Sequence, residues 1–287
     1  MKRKISIFTL IIILVIGIIY QPFIKKEARE SITFFPIDNS FSFTEAVTSL
    51  KFIEGTASNY KFKWDVESES SENVYLRQDI AMIFENGKLT NKMTEWKTTA
   101  KSIDLEKNIE GKTPGLWEAI SYHQGEIHLN EEKYRSVQKM SSDFLYTVKP
   151  NNTFTGFKKT ASPSERRLKN TLDQETNKYL QDTLKEILDY YQINRNNYYV
   201  ISLQSLTSYN EKALPGFNQV KSQEIIGKLW EGLYKNYFIN ITTKTGKKIS
   251  PIRSSMPYIL LSKDKTHLFV LFQTPAGENI QLIQYIS

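Results

Sequence analysis

The chain begins with an uncharged apolar run that constrains what the rest of the molecule can be. Basic residues at 2–4 precede this run, residues 5–24 contain no charged side chain, and Lys25 and Lys26 follow it. A helix of this length rises about 30 Å, which matches the thickness of the hydrocarbon core of a bilayer. We therefore predict a single transmembrane helix within residues 1–28.

This run has two interpretations, a cleaved signal peptide and an uncleaved anchor. Signal peptidase requires small residues three and one positions before the cut. The stretch YQPFIKKEARES, which ends the run and follows it, offers no such pair, so the sequence favours an anchor. The basic residues at the start favour a cytoplasmic N-terminus. We expect a single-pass protein of the cell membrane, with residues 29–287 outside the cytoplasm.

Composition narrows the class of protein further. The chain contains no cysteine, which excludes disulfides, thiol chemistry and a lipid attached to cysteine. A cysteine-free ectodomain rich in Lys, Asn and Ile is typical of a Gram-positive bacterium with an AT-rich genome. Residues 27–150 have more acidic than basic side chains, and residues 151–287 have the reverse. The basic residues of 151–287 could contact an anionic surface or the acidic residues of 27–150. Alternatively, both ranges could simply have solvated surfaces that differ in charge.

The hydrophobic pattern predicts an α+β fold in which antiparallel β-meanders pack with a few amphipathic helices. In the first lobe, residues 29–150, the spacing of Phe43, Val47, Leu50 and Ile53 predicts a helix over 42–53. Alternating apolar residues then predict strands, with a hairpin at Asn86-Gly87 and a return strand from Leu89 to about Ala100.

Residues 151–163 have the composition of a linker, and residues 164–287 form the second predicted lobe. An apolar stripe predicts a helix over 164–192, and a second stripe predicts one over about 222–235. Between them, YYVISLQSL reads as a strand. The final part reads as a meander of YFINITT, KKISPI, YILLS, HLFVLFQ and NIQLIQYI. The segment HLFVLF is apolar on both faces, so we expect it to be a central strand.

The stretch YHQGEIHL at 122–129 holds two of the three histidines. A tight hairpin turning at Gln124-Gly125 would bring His123, Glu126 and His128 to one face, where they could form an open metal site. The favoured alternative is a helix capped by Thr113 and ending at Gln124, followed by a short helix capped by Asn130. A helix, like a straight strand, would keep the two histidines apart.

The sequence also contains SVQK at 136–139, SYN at 208–210 and KTG at 244–246, in the order found in serine penicillin-recognising enzymes. The pattern S-x-x-K occurs three times in this chain, as expected by chance. The interval between SYN and KTG is too short for that fold, and KTG lies at a predicted turn. We therefore do not assign this chemistry.

Five lysines lie at or beside the predicted turns of the last meander: Lys244, Lys247, Lys248, Lys263 and Lys265. Together they could form a patch for anionic lipid or wall polymer. The alternative is that they are ordinary lysines that keep sheet edges soluble.

The chain has no motif that requires a cofactor, and nothing in it resembles a nucleic-acid-binding module. We expect a non-catalytic binding, sensory or accessory protein of the cell envelope. Its partners would be the membrane, through residues 5–24, and another envelope or membrane protein. The alternative is an envelope hydrolase or metal-dependent enzyme that uses residues 121–128.

Overall fold

The computed structural model of the chain describes residues 32–130 and 133–286. The predicted transmembrane helix lies outside these ranges. Within them, no helix is both long and apolar enough to cross a membrane. The described residues belong to one compact unit.

The first part of the unit is a six-stranded antiparallel sheet. Its strands are β1 (Phe43–Gly55), β2 (Tyr60–Glu85), β3 (Lys88–Gly111), β4 (Gly115–Asn130), β5 (Lys133–Val148) and β6 (Thr155–Phe157). Strand β2 is 26 residues long. Its first half pairs with β1 and its second half with β4, while β3 follows the other side of both halves. The order is therefore β1-β2-β4-β5-β6, with β3 on the outer side of β2.

The sheet curls into a nearly closed barrel. Strand β1 returns beside β5, and in the described chain side chains rather than a backbone ladder join the two. The backbone N–H of Leu50 donates to Asp143 Oδ2 at 2.7 Å, and Thr48 Oγ1 lies 2.7 Å from Ser141 Oγ. We call this junction between β1 and β5 the seam.

The predicted hairpin at Asn86-Gly87 is confirmed. Glu85 pairs with Lys88, and the two residues between them have φ angles of 50° and 78°. Asn and Gly adopt such positive φ angles at low cost, and a type I′ turn requires both. The return strand continues to Gly111, well past the predicted end near Ala100.

Three predicted helices of the first lobe are wrong. Residues 43–53 lie in β1, residues 113–124 fall mostly in β4, and the described residues of the segment after Asn130, from Lys133 onward, lie in β5. In β4 both faces are buried, because Trp117 and Ala119 point into the barrel while Ile120 and Tyr122 point to its outside. A strand buried on both faces has no alternation of apolar and polar residues, so its pattern resembles that of a buried helix.

The second part of the unit contains two helices and a four-stranded antiparallel sheet. The helices are α1 (Pro163–Tyr191) and α2 (Gln219–Leu233), and the strands of the sheet are β7 (Tyr198–Ser202), β10 (Tyr258–Ser262), β11 (His267–Gln273) and β12 (Asn279–Tyr285). The order β12-β11-β10-β7 places β11 inside the sheet, as predicted for HLFVLF. Both predicted helices are confirmed, and Ser162 Oγ caps α1 by accepting from Glu165 N at 3.1 Å.

The remaining segments of this part are short. Strands β8 (Ile241–Thr242) and β9 (Lys248–Ile249) form a small hairpin, and 3-10 helices span Arg195–Asn197 and Gln204–Asn210. A π-helical segment, Tyr234–Ile239, continues α2. The strand predicted for YFINITT is therefore wrong for its first half, where Tyr237 and Phe238 are buried in that helical segment.

One apolar core joins the two parts of the sequence. Trp230 of α2 is fully buried and stacks on Tyr122 of β4, with 5.0 Å between ring centroids. Its indole N–H points at Met140 Sδ of β5 at 3.1 Å. A second apolar cluster fills the barrel and includes Trp64 and Trp117. The sheet formed by β2, β4 and β5 is thus buried on both faces.

Candidate functional site

A layer of polar side chains crosses the interior of the barrel. Arg77, Asp79 and His123 have no exposed surface, and Asp79 is the direct cross-strand partner of His123. Along β4, the layer lies between Ala119 of the main barrel cluster and Ile127 of a smaller apolar cluster. Because alternate residues of a strand point to one face, His123 points into the barrel with Ala119 and Ile127.

The layer contains a hydrogen-bonded chain of three side chains, which we call the Asp79–His123–Ser141 relay. Asp79 Oδ2 lies 2.7 Å from His123 Nδ1, and His123 Nε2 lies 2.8 Å from Ser141 Oγ. An ionised carboxylate only accepts, so Nδ1 holds the proton and Nε2 of a neutral ring accepts from the Ser141 hydroxyl. Ser141 lies at the seam and is partly exposed, and its hydroxyl also contacts Thr48. A carboxylate, an imidazole and a serine hydroxyl thus follow one another in the order in which such groups activate a serine as a nucleophile.

Arg77 balances the charge of Asp79 inside this layer. Its Nη2 lies 3.3 Å from Asp79 Oδ1, and its Nη1 donates to the carbonyl of Gln124 at 2.8 Å. Its guanidinium lies 4.5 Å from the ring centre of Phe43. Burial lowers the pKa of Arg77, and the adjacent Asp79 opposes that shift. A charge pair this deep is stable only while both partners are present.

The three predicted metal ligands do not converge on one point. Gln124 and Gly125 lie in the middle of β4 rather than at a turn, so His123 and His128 point to opposite faces of one strand. His128 pairs with Glu126 and stacks on Tyr75, with 3.6 Å between ring centroids. In the part of the chain that the structure describes, no cluster of three or more potential ligand side chains suits a metal ion.

The five predicted surface lysines separate into two groups. Lys244 lies beside the turn between β11 and β12, where its backbone N–H donates to Glu278 Oε1 at 2.8 Å, and Lys247 and Lys248 share its hairpin. Lys263 and Lys265 lie in the turn between β10 and β11, at the other end of β11. Seven residues of strand place the two groups about 20 Å apart.

Ser136, the serine of the rejected SVQK motif, is fully buried in β5 and accepts a hydrogen bond from Phe35 N at 2.9 Å. A different titratable group stands out on the outer face of β4. Burial, together with the nearby charge of Asp173 on α1, raises the pKa of Glu118 to about 7.

A surface groove of about 380 Å³ lies between α2 and β12. Its lining includes the apolar residues Leu229, Leu233, Val270, Leu282 and Ile283. Lys228 and Lys235 also line it, and they pair with Glu224 and Glu231 respectively. Gly232 contributes no side chain, and the space above it is open.

Strand β12 has an open edge beside this groove. The backbone N–H of Ile286 donates to Thr266 O, so the alternation of the ladder turns the N–H and C=O groups of Gln281, Ile283 and Tyr285 away from β11. In the described ranges these outward groups have no hydrogen-bond partner. The strand contains no charged residue, and Ile283 and Tyr285 are 48% and 74% exposed.

Natural edge strands usually contain charges, proline or bulges that prevent pairing with another chain. Strand β3, the edge of the larger sheet, follows this rule with many Lys and Glu residues. Strand β12 does not follow this rule. From the sequence, β12 was not identified as an open edge, because an edge is defined only by the order of strands in a sheet. The Asp79–His123–Ser141 relay was missed for a similar reason, although the charged pair Arg77 and Asp79, directly before the apolar run at residues 80–84, was a usable signal.

No protein-family model matches the sequence, and no curated protein matches it. Among solved structures, the chain is weakly similar to a glycosyl hydrolase family 2 member from Bacteroides cellulosilyticus, with 12% identity over 41% of this chain and a TM-score of 0.26. This chain spans only 17% of that enzyme's length. It is also weakly similar to a CARDB domain from Pyrococcus furiosus, solved with di-metal ions, with 16% identity over 38% of this chain, 96% of that domain and a TM-score of 0.21. TM-scores this low support no argument about fold or function.

Proposed function

We propose that the protein is a membrane-anchored, extracytoplasmic accessory protein of the cell envelope that binds another polypeptide and has no catalytic role. The observation that supports this most directly is the apolar groove beside the open, uncharged edge of β12. Extended polypeptides bind such edges by adding a strand, and a neighbouring groove accepts alternate side chains.

The first described residues pack against α2 and β4, beside the groove. The backbone N–H of Phe34 donates to Glu231 Oε2 at 3.1 Å, and Gln124 Nε2 donates to Thr33 O at 3.0 Å. The Phe34 ring occupies the space next to Gly227, where any side chain would collide with it.

Photocrosslinking in intact cells tests this function. We expect a crosslinking amino acid at Asn236, in the groove, to form a discrete adduct with another polypeptide chain. The same amino acid at Lys107, exposed on β3, serves as the matched control and should form none. Protease added to the intact cells should degrade the adduct. Equal adducts at both positions, or adducts protected from protease, would contradict the proposal.

The second candidate function is hydrolysis of a carboxylic ester, which the Asp79–His123–Ser141 relay favours. Ser141 Oγ would attack the ester carbonyl while His123 Nε2 takes its proton. The same proton would pass to the departing alcohol, and water would then release the acid and restore Ser141. Asp79 would orient the ring and stabilise its charged form.

A fluorophosphonate probe distinguishes this candidate. If the relay activates Ser141, the folded protein should be labelled at Ser141, and Ser141→Ala should abolish the labelling. Ser142→Ala, at the exposed neighbouring serine, should leave it unchanged. A folded protein without label at Ser141 would show that the relay serves only to stabilise the barrel.

A further inference from the structure

We propose that β12 pairs with β12 of a second copy of this chain, so that two four-stranded sheets become one continuous antiparallel sheet across a two-fold axis. This inference rests on the proposed function, because it names the polypeptide that occupies the open edge. An antiparallel strand pair between identical chains is self-complementary, which is the requirement for a closed dimer.

The register follows from the groups that point outward. Centring the pair on Ile283 places this residue opposite Ile283 of the second copy, and Gln281 opposite Tyr285. Every group in these pairs is an outward-pointing one, so the two edges form about six backbone hydrogen bonds. At the other end of the strand, the Tyr191 hydroxyl already donates to Asn279 O at 2.8 Å. The pairing is therefore limited to residues 281–285.

The side chains of β12 suit self-pairing. Because the strand has no charged residue, bringing two copies together creates no like-charge contact along the edge. The exposed side chains of Ile283 and Tyr285 lie on one face of the sheet. In the dimer Ile283 would contact Ile283 of the second copy, and Tyr285 would contact its Gln281. Burial of this apolar surface, together with the hydrogen bonds, would stabilise the pair.

The contact is short, and its strength depends on where the chains are held. Five residues of paired strand form a small interface, which is typical of weak association. Two chains anchored in one membrane have a much higher effective concentration than two free ones. We therefore expect the dimer to form in membranes at expression levels where free soluble domains are monomeric.

Cysteine crosslinking of the full-length chain in membranes tests this inference, because the natural sequence contains no cysteine. In the expected pair, the Cα atoms at position 283 are about 5.5 Å apart, within the range of a disulfide. Ile283→Cys should therefore give a disulfide-linked dimer under mild oxidation, at least 10-fold faster than Ile53→Cys. Ile53 is a similarly exposed residue on β1, which makes it the matched control.

A second variant removes the pairing without disturbing β11. Ile283→Pro deletes an N–H that points away from β11, a position where edge strands tolerate proline. In mild detergent at high protein concentration we expect the wild-type chain to have the mass of a dimer, and this variant that of a monomer. Crosslinking of Ile283→Cys no faster than the control, or a dimer that survives Ile283→Pro, would overturn the inference. Adducts of Asn236 with a different protein would in that case still support the proposed function.

Discussion

Replacing Asp79 by alanine is expected to lower the free energy of unfolding by about 3–5 kcal/mol. Arg77 has no exposed surface, and Asp79 is the only carboxylate that pairs with it in the described chain. Without Asp79, the guanidinium would remain buried and uncompensated, and His123 Nδ1 and Ser68 Oγ would each lose a hydrogen-bond partner. Urea denaturation followed by circular dichroism measures the loss.

Two controls separate the charge pair from other causes. Asp104→Ala, at an exposed position on β3, should change the free energy of unfolding by less than about 0.5 kcal/mol. The double variant Arg77→Met, Asp79→Leu should regain most of the stability, since apolar residues of similar size often replace a buried ion pair without loss. A double variant as unstable as Asp79→Ala would show that the unpaired arginine is not the cause.

Replacing Trp230 by alanine is expected to lower the free energy of unfolding by about 3–5 kcal/mol. The reason here is the cavity that the substitution leaves in the shared core. The indole packs between Tyr122 of β4 and Met140 of β5, so its removal empties the contact between α2 and the outer face of the barrel. Val220→Ala is the matched control, because Val220 lies on the same helix and is 75% exposed. Val220→Ala should leave the free energy of unfolding nearly unchanged.

The same variant tests whether the barrel and the helical part unfold together. Because they share one core, we expect Trp230→Ala to shift the loss of helical circular dichroism and the loss of fluorescence from the buried Trp64 and Trp117 to the same lower urea concentration. A shift of the helical signal alone would mean that the parts before and after residues 151–163 unfold as separate units.

Local signals in the sequence identified the elements whose formation depends on neighbouring residues. Asn86-Gly87 specified a hairpin because these two residues tolerate positive φ angles. The long helix α1 was identified from its apolar stripe. The fully apolar segment HLFVLF identified an inner strand, since only such a strand is covered on both faces.

Local signals failed where burial on two faces removed the pattern. Residues 113–124 were predicted to be a helix from their capping residues, yet most of them lie in β4, whose two faces are both buried. Strand β1 was predicted to be a helix from a four-residue apolar spacing, yet Val47 and Ile53 of that supposed face are exposed. In both cases the pairing with β2 decided the outcome, and that pairing satisfies backbone groups that no local pattern reports.

By itself, the sequence determined a cysteine-free chain with an apolar run at its start, a hairpin at Asn86-Gly87 and two amphipathic helices, because composition, turn chemistry and helical periodicity are properties of nearby residues. Only the tertiary structure decided that Asp79, His123 and Ser141 form one relay and that β12 is an open edge. These features depend on the register between strands and on their order in a sheet, which bring together residues that are far apart in the chain.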